Sequence, residues 1–479
     1  MEKLKIGLVG TSQLSFPGDK EAAFNHSKEG MIKLAEKMGF ELVTYDQTVI
    51  TEQEAAVAVK YFEAEKIDFL LVQHTSYSRG QLSLVFAKIK NARLGYWAIP
   101  EGVNEGIVPF NSLCSINMHQ AIVYHYLKAD KVRLKWFYGD VEDPRFQRRL
   151  EVTVRALRAI KGLCNSKVAL IGGIAPGFND LYNDERQFLK LFDGMVYNRL
   201  HEYDEVKAIA MSMDDALVEK TASEMLACSC GANAFAQDKL AISARFYLAY
   251  KEFLKRYQYD ALAVSCWPKF QDDYKYSVCS VVGQLNDEGT PTGCEGDILS
   301  TICMLALKYM ADDVTALMDM SAFDEEDESV LLWHCGPAGA RFSKNYSLSA
   351  NYSGMAHIKG QPPLGCGVAR DMVFDEMDAT VFRLTGECDK FMVLSGHIQK
   401  PGKPSLTGSR GWLENLKFNG ESIGALDLVN TLQTNGFQHH YPVVPGDLTQ
   451  EVKEFAAWLG LRHIQKVAYE DCLQIIDED

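Results

Sequence analysis

Short apolar runs alternate with longer amphipathic segments through the first 163 residues, and this alternation constrains the fold more than any other feature of the chain. The amphipathic segments, for example Glu21–Lys37 and Gln53–Glu65, have the spacing of helices. The apolar runs have the length of strands, and they are Lys5–Val9, Glu41–Tyr45, Phe69–Val72, Arg93–Ala98 and Val132–Tyr138. Continuous apolar strands separated by helices predict a parallel sheet that is covered on both faces.

Polar loops follow two of these predicted strands at their carboxyl ends, where open parallel sheets usually bind ligands. Gly10-Thr11-Ser12 follows the first strand, and a loop that begins Gln73-His74 follows the third. The Gly10 loop has no G-x-G-x-x-G pattern, so a dinucleotide is not indicated. For His74, a role as a loop or capping residue is favoured over a role in ligand binding.

A second alternating unit begins with the apolar run after Lys167 and ends with the strand Ala261–Ser265, which is followed by Cys266 and Trp267. Helices are expected between them near residues 183–194, 213–226 and 238–257. The pair Gly172-Gly173 is a weak indication of a ligand, because tight turns between strands and helices use glycine without one. If this unit binds a ligand, the carboxyl end of its last strand is the expected place.

After about residue 310 the pattern changes to short strands and glycine turns, most clearly in Ala379–Leu384 and Lys390–Ser395, which predicts an antiparallel β module. The charged run that begins at Asp324 is typical of a solvated turn. We therefore expect an α/β protein with two doubly wound α/β domains followed by a β-rich, barrel-like C-terminal domain. The expected boundaries are 1–163, 164–310 and 311–479.

Charge and composition exclude several classes of function. The net charge of -15 argues against nucleic acid and anionic membranes, whose phosphates need a basic surface. No apolar run approaches the roughly 18 residues of a membrane span, and the N-terminus has the pattern of a strand and not of a signal peptide. Cys228 and Cys230 have no matching pair, so a zinc site is not indicated and the cysteines are expected to be reduced thiols. These features predict a cytoplasmic protein.

The stretch from Cys266 to His334 contains polar residues beside Trp, Cys and Gly, which is unusual for a solvated face. Glu295 precedes the apolar run Ile298–Met310, whose spacing predicts a buried helix with Asp297 and Ser300 in its first turn. A carboxylate at this position is favoured by the helix dipole alone, so Glu295 has a structural explanation as well as a functional one.

Two carboxylates and up to three imidazoles are available as ligands for a hard or borderline divalent ion. They are Glu295, Asp319, His334 and the adjacent pair His439-His440. Their spacing follows no local metal motif such as H-E-x-x-H, and each histidine is also compatible with a core or capping position. The residues alone therefore make this set a candidate for a metal site, with Mn²⁺, Co²⁺ or Mg²⁺ as the ions to expect.

The chain resembles the L-fucose isomerase and L-arabinose isomerase superfamily, and particularly its shorter fucose-isomerase-like members. The resemblance is carried by motifs between about residues 265 and 447, and residues 1–260 match mainly in domain order. The motifs are Cys266-Trp-Pro-Lys-Phe-Gln, Asn286-Asp-Glu-Gly, Cys294-Glu-Gly-Asp, Asp319, Trp333-His-Cys-Gly and His439-His440. Each motif is weak alone, and the combination is specific. The chain is shorter than typical L-fucose isomerases, which leaves the substrate more open than the reaction.

The resemblance implies a Mn²⁺-type ion held by Glu295, Asp319 and His439, with His440 able to replace His439. His334 resembles an additional ligand of the arabinose branch, so it is expected either to bind the metal or to line the pocket. The family precedent is a homo-oligomer, a trimer or hexamer, in which a neighbouring subunit completes each site.

The activity implied is that of a metal-dependent aldose–ketose isomerase, an intramolecular oxidoreductase that works by enediol proton transfer. Glu295 is expected to be the base and Asp319 its partner. The residues expected to bind the sugar are Trp267, Lys269, Gln271, His334 and His440, although Trp267 is also compatible with simple core packing.

The identity of the sugar stays open at this point. A fucose-like or arabinose-like sugar fits the resemblance, and so does an anionic hexose such as a sulfosugar. An anionic substrate would need a cation, and Lys269, Arg341 and Arg410 are available. The alternatives from other classes are a non-catalytic cytoplasmic sugar-binding protein and a metal-dependent hydrolase.

Overall fold

A computed structural model of the chain describes residues 2–103, 105–130, 132–351 and 366–471. Two compact units divide the chain, Met1–Arg158 and Ala159–Asp479. Each unit has its own sheets and its own hydrophobic core.

The first unit contains one parallel sheet of five strands in the order β2-β1-β3-β4-β5. The strands are β1 (Lys5–Thr11), β2 (Glu41–Val49), β3 (Phe69–His74), β4 (Arg93–Ala98) and β5 (Leu134–Tyr138). The helices are α1 (Lys20–Met38), α2 (Glu52–Glu65), α3 (Gln81–Phe86), α4 (Ser112–Tyr126) and α5 (Pro144–Cys164), the last of which crosses the division between the units. The predicted parallel sheet is therefore confirmed.

Polar side chains at the helix ends explain why the first two helices agree closely with the sequence pattern. The Asp19 carboxylate accepts a hydrogen bond from the backbone of Ala22 and caps α1, which ends at Gly39 in a left-handed conformation. Thr51 and Glu54 form a capping box at the start of α2. These are local signals, so the sequence alone contains them.

The second unit begins with a parallel sheet of four strands in the order β7-β6-β8-β9. The strands are β6 (Lys167–Ile171), β7 (Val196–His201), β8 (Ala261–Val264) and β9 (Thr292–Gly293). The helices are α6 (Glu185–Leu191), α7 (Tyr203–Met211), α8 (Asp215–Ala227), α9 (Ala234–Tyr257), α10 (Lys269–Tyr274), α11 (Cys279–Asp287) and α12 (Ile298–Ala311). Strand β7 lies at the sheet edge with most of its side chains at least partly exposed, so it has no continuous apolar run to predict it.

The remaining strands form a second, mostly antiparallel sheet. They are β10 (Ala316–Asp324), β11 (Ser329–His334), β12 (Tyr346–Asn351), β13 (Cys366–Val373), β14 (Met377–Leu384), β15 (Lys390–Ile398), β16 (Ser409–Phe418), β17 (Glu421–Ser422), β18 (His440–Pro445) and β19 (Arg462–His463), with helices α13 (Ala425–Thr434) and α14 (Thr449–Leu459). Strand β16 pairs with both β11 and β15, which closes the strands into a barrel in the order β16-β11-β10-β18-β14-β15. The expected barrel-like C-terminal module is confirmed.

One hydrophobic core joins the four-stranded sheet to the barrel. The same cluster of buried residues includes Ala169 and Leu262 from the parallel sheet, and Met318 and Val443 from the barrel. Between the two sheets, α12 is buried along almost its whole length, as its sequence predicted. The division at residue 310 between a second and a third domain stays a prediction, because the two parts belong to one compact unit.

Two expectations from composition concern the whole chain. The cysteines that the structure describes have free thiols, including Cys228 and Cys230. Among the described helices, none is both long enough and apolar enough to cross a membrane.

Candidate active site

The carboxyl edge of the four-stranded sheet carries three of the motifs noted in the sequence. Strand β6 pairs with β7 on one side and with β8 on the other. The chain therefore adds strands on one side of β6 first and then on its opposite side, although all the strands are parallel. Gly172-Gly173 follows β6, Cys266-Trp267 follows β8, and Glu295 follows β9. Open α/β sheets bind ligands at such a reversal, so this edge is the expected location of a site.

The backbone around Glu295 is held in an unusual conformation. Glu295 has a φ of +61°, a left-handed conformation that costs about 1–2 kcal/mol for a residue with a side chain. The Ala175 N–H donates to the Glu295 carbonyl at 2.9 Å, and the Gly296 N–H donates to Val264. A Cβ on Gly296 would lie 2.3 Å from the carbonyl oxygen of Gly173, so only glycine fits there. Strain of this kind in a fixed backbone is typical of functional sites.

Three neighbouring barrel strands bring the other candidate ligands to the same place. Asp319 on β10 is directly opposite His440 on β18 and also opposite Trp333 on β11. His334 is the last residue of β11, and its ring lies 5.5 Å from the His440 ring, nearly parallel to it. Barrel register therefore sets the separation of these side chains.

The polar atoms of these side chains converge on one point. The Glu295 carboxylate oxygen Oε2 lies 3.2 Å from His440 Nε2 and 3.5 Å from His439 Nε2. The distance from His440 Nε2 to Asp319 Oδ1 is 3.8 Å. Two sets of three donors, Glu295/His334/His440 and Asp319/His439/His440, have all their ligand atoms within 4.8 Å of one another. Both sets include His440, so the two clusters share one imidazole.

Three of these buried atoms have no hydrogen-bond partner among the described residues: Asp319 Oδ1, His334 Nε2 and His440 Nε2. An unpartnered buried polar atom typically costs about 1–3 kcal/mol, so three that face one another indicate a bound species that supplies the missing contacts. Mixed imidazole and carboxylate donors suit Mn²⁺ or Co²⁺. The residues present therefore fit the expected metal ion.

Burial and mutual pairing shift the protonation of the site. Burial disfavours ionisation of Glu295, but the adjacent His439 and His440 imidazoles outweigh it and hold the Glu295 pKa well below its usual range. Burial likewise disfavours a charged His440, yet its hydrogen bond to Asp297 and the nearby Glu295 carboxylate raise the His440 pKa to about 10. For His334, burial is the dominant effect and lowers its pKa. Near neutral pH the site thus contains charged Glu295 and His440 and a neutral His334.

His439 differs from His440 in its surroundings. The His439 side chain is 36% exposed, whereas that of His440 is 1% exposed. The Asp180 carboxylate accepts a hydrogen bond from His439 Nδ1 at 2.7 Å, and the Phe178 ring lies 5.1 Å from the His439 ring. His439 therefore lies at the accessible side of the site with its Nε2 toward Glu295, and His440 lies at its centre.

The residues expected to bind the sugar are found at different distances from this centre. Trp267 lies beside Phe178, and its Nε1 is buried without a hydrogen-bond partner in the described part of the chain. Gln271 is buried in α10. Lys269 is exposed, and its ammonium lies 4.0 Å from Glu202 and over the Tyr203 ring.

Two of the cations considered for an anionic substrate already have carboxylate partners. Arg341 makes a bidentate pair with Asp313, with a shortest distance of 2.8 Å. Arg410 pairs with Asp371. Neither guanidinium is therefore a ready partner for a substrate anion, whereas the exposed Lys269 ammonium lies 4.0 Å from its Glu202 partner.

Asp180, Asp297 and Arg383 belong to the site and were not predicted as functional residues. The sequence placed Asp297 only as a helix residue, and it is indeed the N-cap of α12. Its other oxygen, Oδ2, lies 3.0 Å from His440 Nδ1. Arg383 is fully buried and contacts Asp297. A charged residue within the apolar run Ala379–Leu384 was the available signal for Arg383, and nothing local identified Asp180.

Comparison with known proteins gives relatives for nearly the whole chain, while no protein-family model matches it. A protein named sulfoquinovose isomerase from Priestia aryabhattai is 26% identical over 424 residues, which cover 88% of this chain and 90% of the relative. A protein of the same name from Priestia megaterium gives the same figures, and one from Alkalicoccus urumqiensis is 24% identical over 82% of this chain and 85% of its own length.

A solved periplasmic solute-binding protein of an ABC transporter from Actinobacillus succinogenes, with bound D-allose, is 12% identical to this chain. The match has a TM-score of 0.18 and covers 65% of this chain and 92% of the other, and a similarity this low carries no argument about fold or function. The names of the curated relatives agree with the prediction of an intramolecular oxidoreductase that acts on sugars. The resemblance to the fucose and arabinose isomerases stays an expectation, since none of these names contains it.

Proposed function

We propose that this protein is a metal-dependent aldose–ketose isomerase that acts on a sulfosugar. The observation that carries the proposal is the convergence of buried, unpartnered Asp319, His334 and His440 atoms on Glu295 at the carboxyl edge of a parallel sheet. Buried polar atoms without partners require a bound species that supplies the missing contacts. Relatives named sulfoquinovose isomerase support both the reaction and the class of substrate.

In this proposal Glu295, Asp319, His334 and His440 hold a divalent cation such as Mn²⁺. When bound, the ion would supply positive charge that acidifies the C2 proton of the open-chain sugar and stabilises the negative oxygens that develop at O1 and O2. The set of donor atoms is mixed nitrogen and oxygen, which separates the site from the all-oxygen sites that calcium prefers.

Two proton movements complete the reaction, and each has a candidate carrier. Glu295, kept ionised by the adjacent histidines, removes the proton from C2 and returns it to C1. Asp319 moves the hydroxyl proton from O2 to O1, which balances the exchange of aldehyde and ketone. His439 Nε2 faces Glu295 from the accessible side, and its link to Asp180 fixes the direction of the ring.

The sulfonate end of the substrate needs donors some distance from the reacting carbons. Trp267 Nε1 is a buried donor without a partner among the described residues, and Lys269 is two residues further along the chain. We assign these two groups to the sulfonate because Arg341 and Arg410 are already paired with carboxylates. The assignment favours an anionic sugar over a neutral deoxy sugar.

The test of the proposed function is turnover of purified protein with sulfoquinovose, glucose, L-fucose and L-arabinose in the presence of Mn²⁺. We expect ketose formation from the sulfosugar and much slower turnover of the neutral sugars. Binding of sulfoquinovose without ketose formation would identify a sugar-binding protein instead. Release of a second product would identify a hydrolase, and either result would overturn the proposal.

The two adjacent histidines should respond differently to substitution. We expect His440→Ala to lower the Mn²⁺ content of the purified protein strongly, because His440 lies at the centre of both donor sets. His439→Ala should keep most of the metal and lower kcat, because the His439 side chain is partly exposed and its Nε2 lies near Glu295 on the accessible side of the site. Elemental analysis of both variants checks this, and the reverse order of metal loss would show that His439 is the ligand.

A further inference from the structure

Arg383 is a fully buried cation in a barrel strand, and it contacts His440 and residues near His440. Its Nη1 lies 3.3 Å from Asp297 Oδ2, donates to the His440 carbonyl oxygen at 2.6 Å and also contacts Ser300. Its Nη2 donates to the side-chain oxygen of Gln438. Burying a guanidinium and a carboxylate together usually costs as much as their attraction returns. This pair therefore requires an explanation other than stability.

Asp297 connects that cation to the imidazole. Its Oδ1 accepts from the backbone of Ser300 at 2.9 Å, and its Oδ2 lies 3.0 Å from His440 Nδ1. An ionised carboxylate only accepts hydrogen bonds, so Nδ1 must be the donor. The other ring nitrogen, Nε2, is then the one that faces Glu295 and Asp319.

Arg383 and Asp297 together fix the ring and the main chain of His440. Asp297 sets the ring orientation and the position of its proton, and Arg383 holds the main chain of His440 through its carbonyl oxygen. We propose that Asp297 and Arg383 are positioning residues that keep His440 Nε2 directed toward the cation position. The inference rests on the proposed function, because it assigns the pair a role toward the metal ion that function requires.

A second ion pair in the same unit, formed by a buried arginine and a partly exposed aspartate, provides a control. Arg370 lies 2.6 Å from Asp287, and its side chain is 3% exposed. Arg370 also donates to Gln284 and to the Ala338 carbonyl oxygen, and within the described part of the chain its side chain is bonded to no histidine. A purely structural role for a buried Arg–Asp pair predicts equal consequences for the two pairs, whereas a positioning role predicts a difference in metal binding.

The experiment is titration of metal-free protein with Mn²⁺ alone, followed by calorimetry and by the electron paramagnetic resonance signal of free Mn²⁺. The single variants are Asp297→Asn, Arg383→Gln and Arg383→Lys, and Arg370→Gln is the control. The double variant combines Asp297→Asn with Arg383→Gln and so removes both buried charges. Outer-shell partners of metal ligands typically contribute 10–100-fold in affinity, so we expect losses of about that size for Asp297→Asn and Arg383→Gln. The double variant should lose no more than Asp297→Asn, because both changes act through His440.

Two further results separate positioning from folding. Arg383→Lys keeps the charge without the planar fork, so its affinity should lie between those of the wild type and Arg383→Gln. Arg370→Gln should lose thermal stability and keep wild-type affinity for Mn²⁺. Circular dichroism of each variant establishes that it is folded before affinities are compared.

Mn²⁺ affinity within about twofold of the wild type in folded Asp297→Asn would overturn the inference and leave the proposed function intact. If Asp297→Asn does not fold, the double variant, which removes both buried charges, is judged by the same criterion. Absence of Mn²⁺ binding by the wild type would overturn the proposed metal dependence together with this inference. Equal losses in Arg370→Gln and Arg383→Gln would also overturn it, since they would indicate a general effect of removing a buried pair.

Discussion

Replacement of Glu295 by glutamine should lower kcat by at least about 10²-fold and up to about 10⁴-fold, the range that general base catalysis typically contributes. The amide keeps the size of the side chain and one oxygen donor, but it cannot accept the C2 proton. The left-handed backbone at residue 295 and the pairing with His439 and His440 hold the carboxylate at the site. The measurement is exchange of the substrate C2 proton with solvent deuterium at saturating Mn²⁺, since this follows proton abstraction directly.

A matched control exists in the same unit. Glu288 pairs with Lys251 and Tyr247 outside the site, so Glu288→Gln should exchange at the wild-type rate. If Glu295 served only the helix dipole, its replacement would cost about 1 kcal/mol of stability or less and leave the chemistry intact. A folded, metal-loaded Glu295→Gln protein that exchanges at a near wild-type rate would therefore assign the base to Asp319.

The sequence could predict the parts of this fold that are encoded locally. Caps such as Asp19 and Thr51 stand beside the helices they begin, and a buried strand or helix such as Ile298–Met310 has a continuous apolar pattern. Strand β7 (Val196–His201) was not predicted because an exposed edge strand lacks that pattern.

The arrangement of the site depends on contacts between distant parts of the chain, so spacing alone could not provide it. Asp319 meets His440 because β10 and β18 pair in one particular register of a closed barrel. A shift of one residue in that pairing would turn His440 away from Asp319, since neighbouring side chains on a strand point to opposite faces. The sequence pattern identified the histidine pair and the resemblance favoured His439 as the ligand, whereas we propose His440, because its register places it opposite Asp319.

Buried charge was the sequence signal that went unused. Arg383 interrupts the apolar run Ala379–Leu384, and a full charge in a buried strand requires a partner. That partner is Asp297, two residues after Glu295 and on a different element. The sequence shows that a charge is present in this strand. Only the fold shows that its partner is a carboxylate 86 residues away.

Removal of divalent metal should abolish turnover, and added Mn²⁺ or Co²⁺ should restore it. The reason is that Asp319 Oδ1, His334 Nε2 and His440 Nε2 are buried without partners in the described chain, and carboxylate and imidazole donors in this number bind such ions. The measurement is ketose formation by protein dialysed against a chelator, with metal content determined by elemental analysis and the fold monitored by circular dichroism. Full turnover by folded protein free of metal would end the proposal of metal dependence.

The affinity of the site for the metal ion should depend on pH, and the proton on His440 sets the direction of that dependence. The hydrogen bond to Asp297 and the nearby Glu295 carboxylate overcome burial and raise the His440 pKa to about 10, so Nε2 carries a proton at neutral pH when no metal is bound. A cation has to displace that proton, and its apparent affinity should therefore rise with pH until the pKa is reached, by up to about tenfold per pH unit for one displaced proton. Mn²⁺ titrations between pH 6 and pH 9, at about one-unit intervals, measure the slope. An affinity that stays constant over this range in the wild type would show that His440 is not a ligand. The control is His439→Ala, which should keep the wild-type slope because the displaced proton belongs to His440.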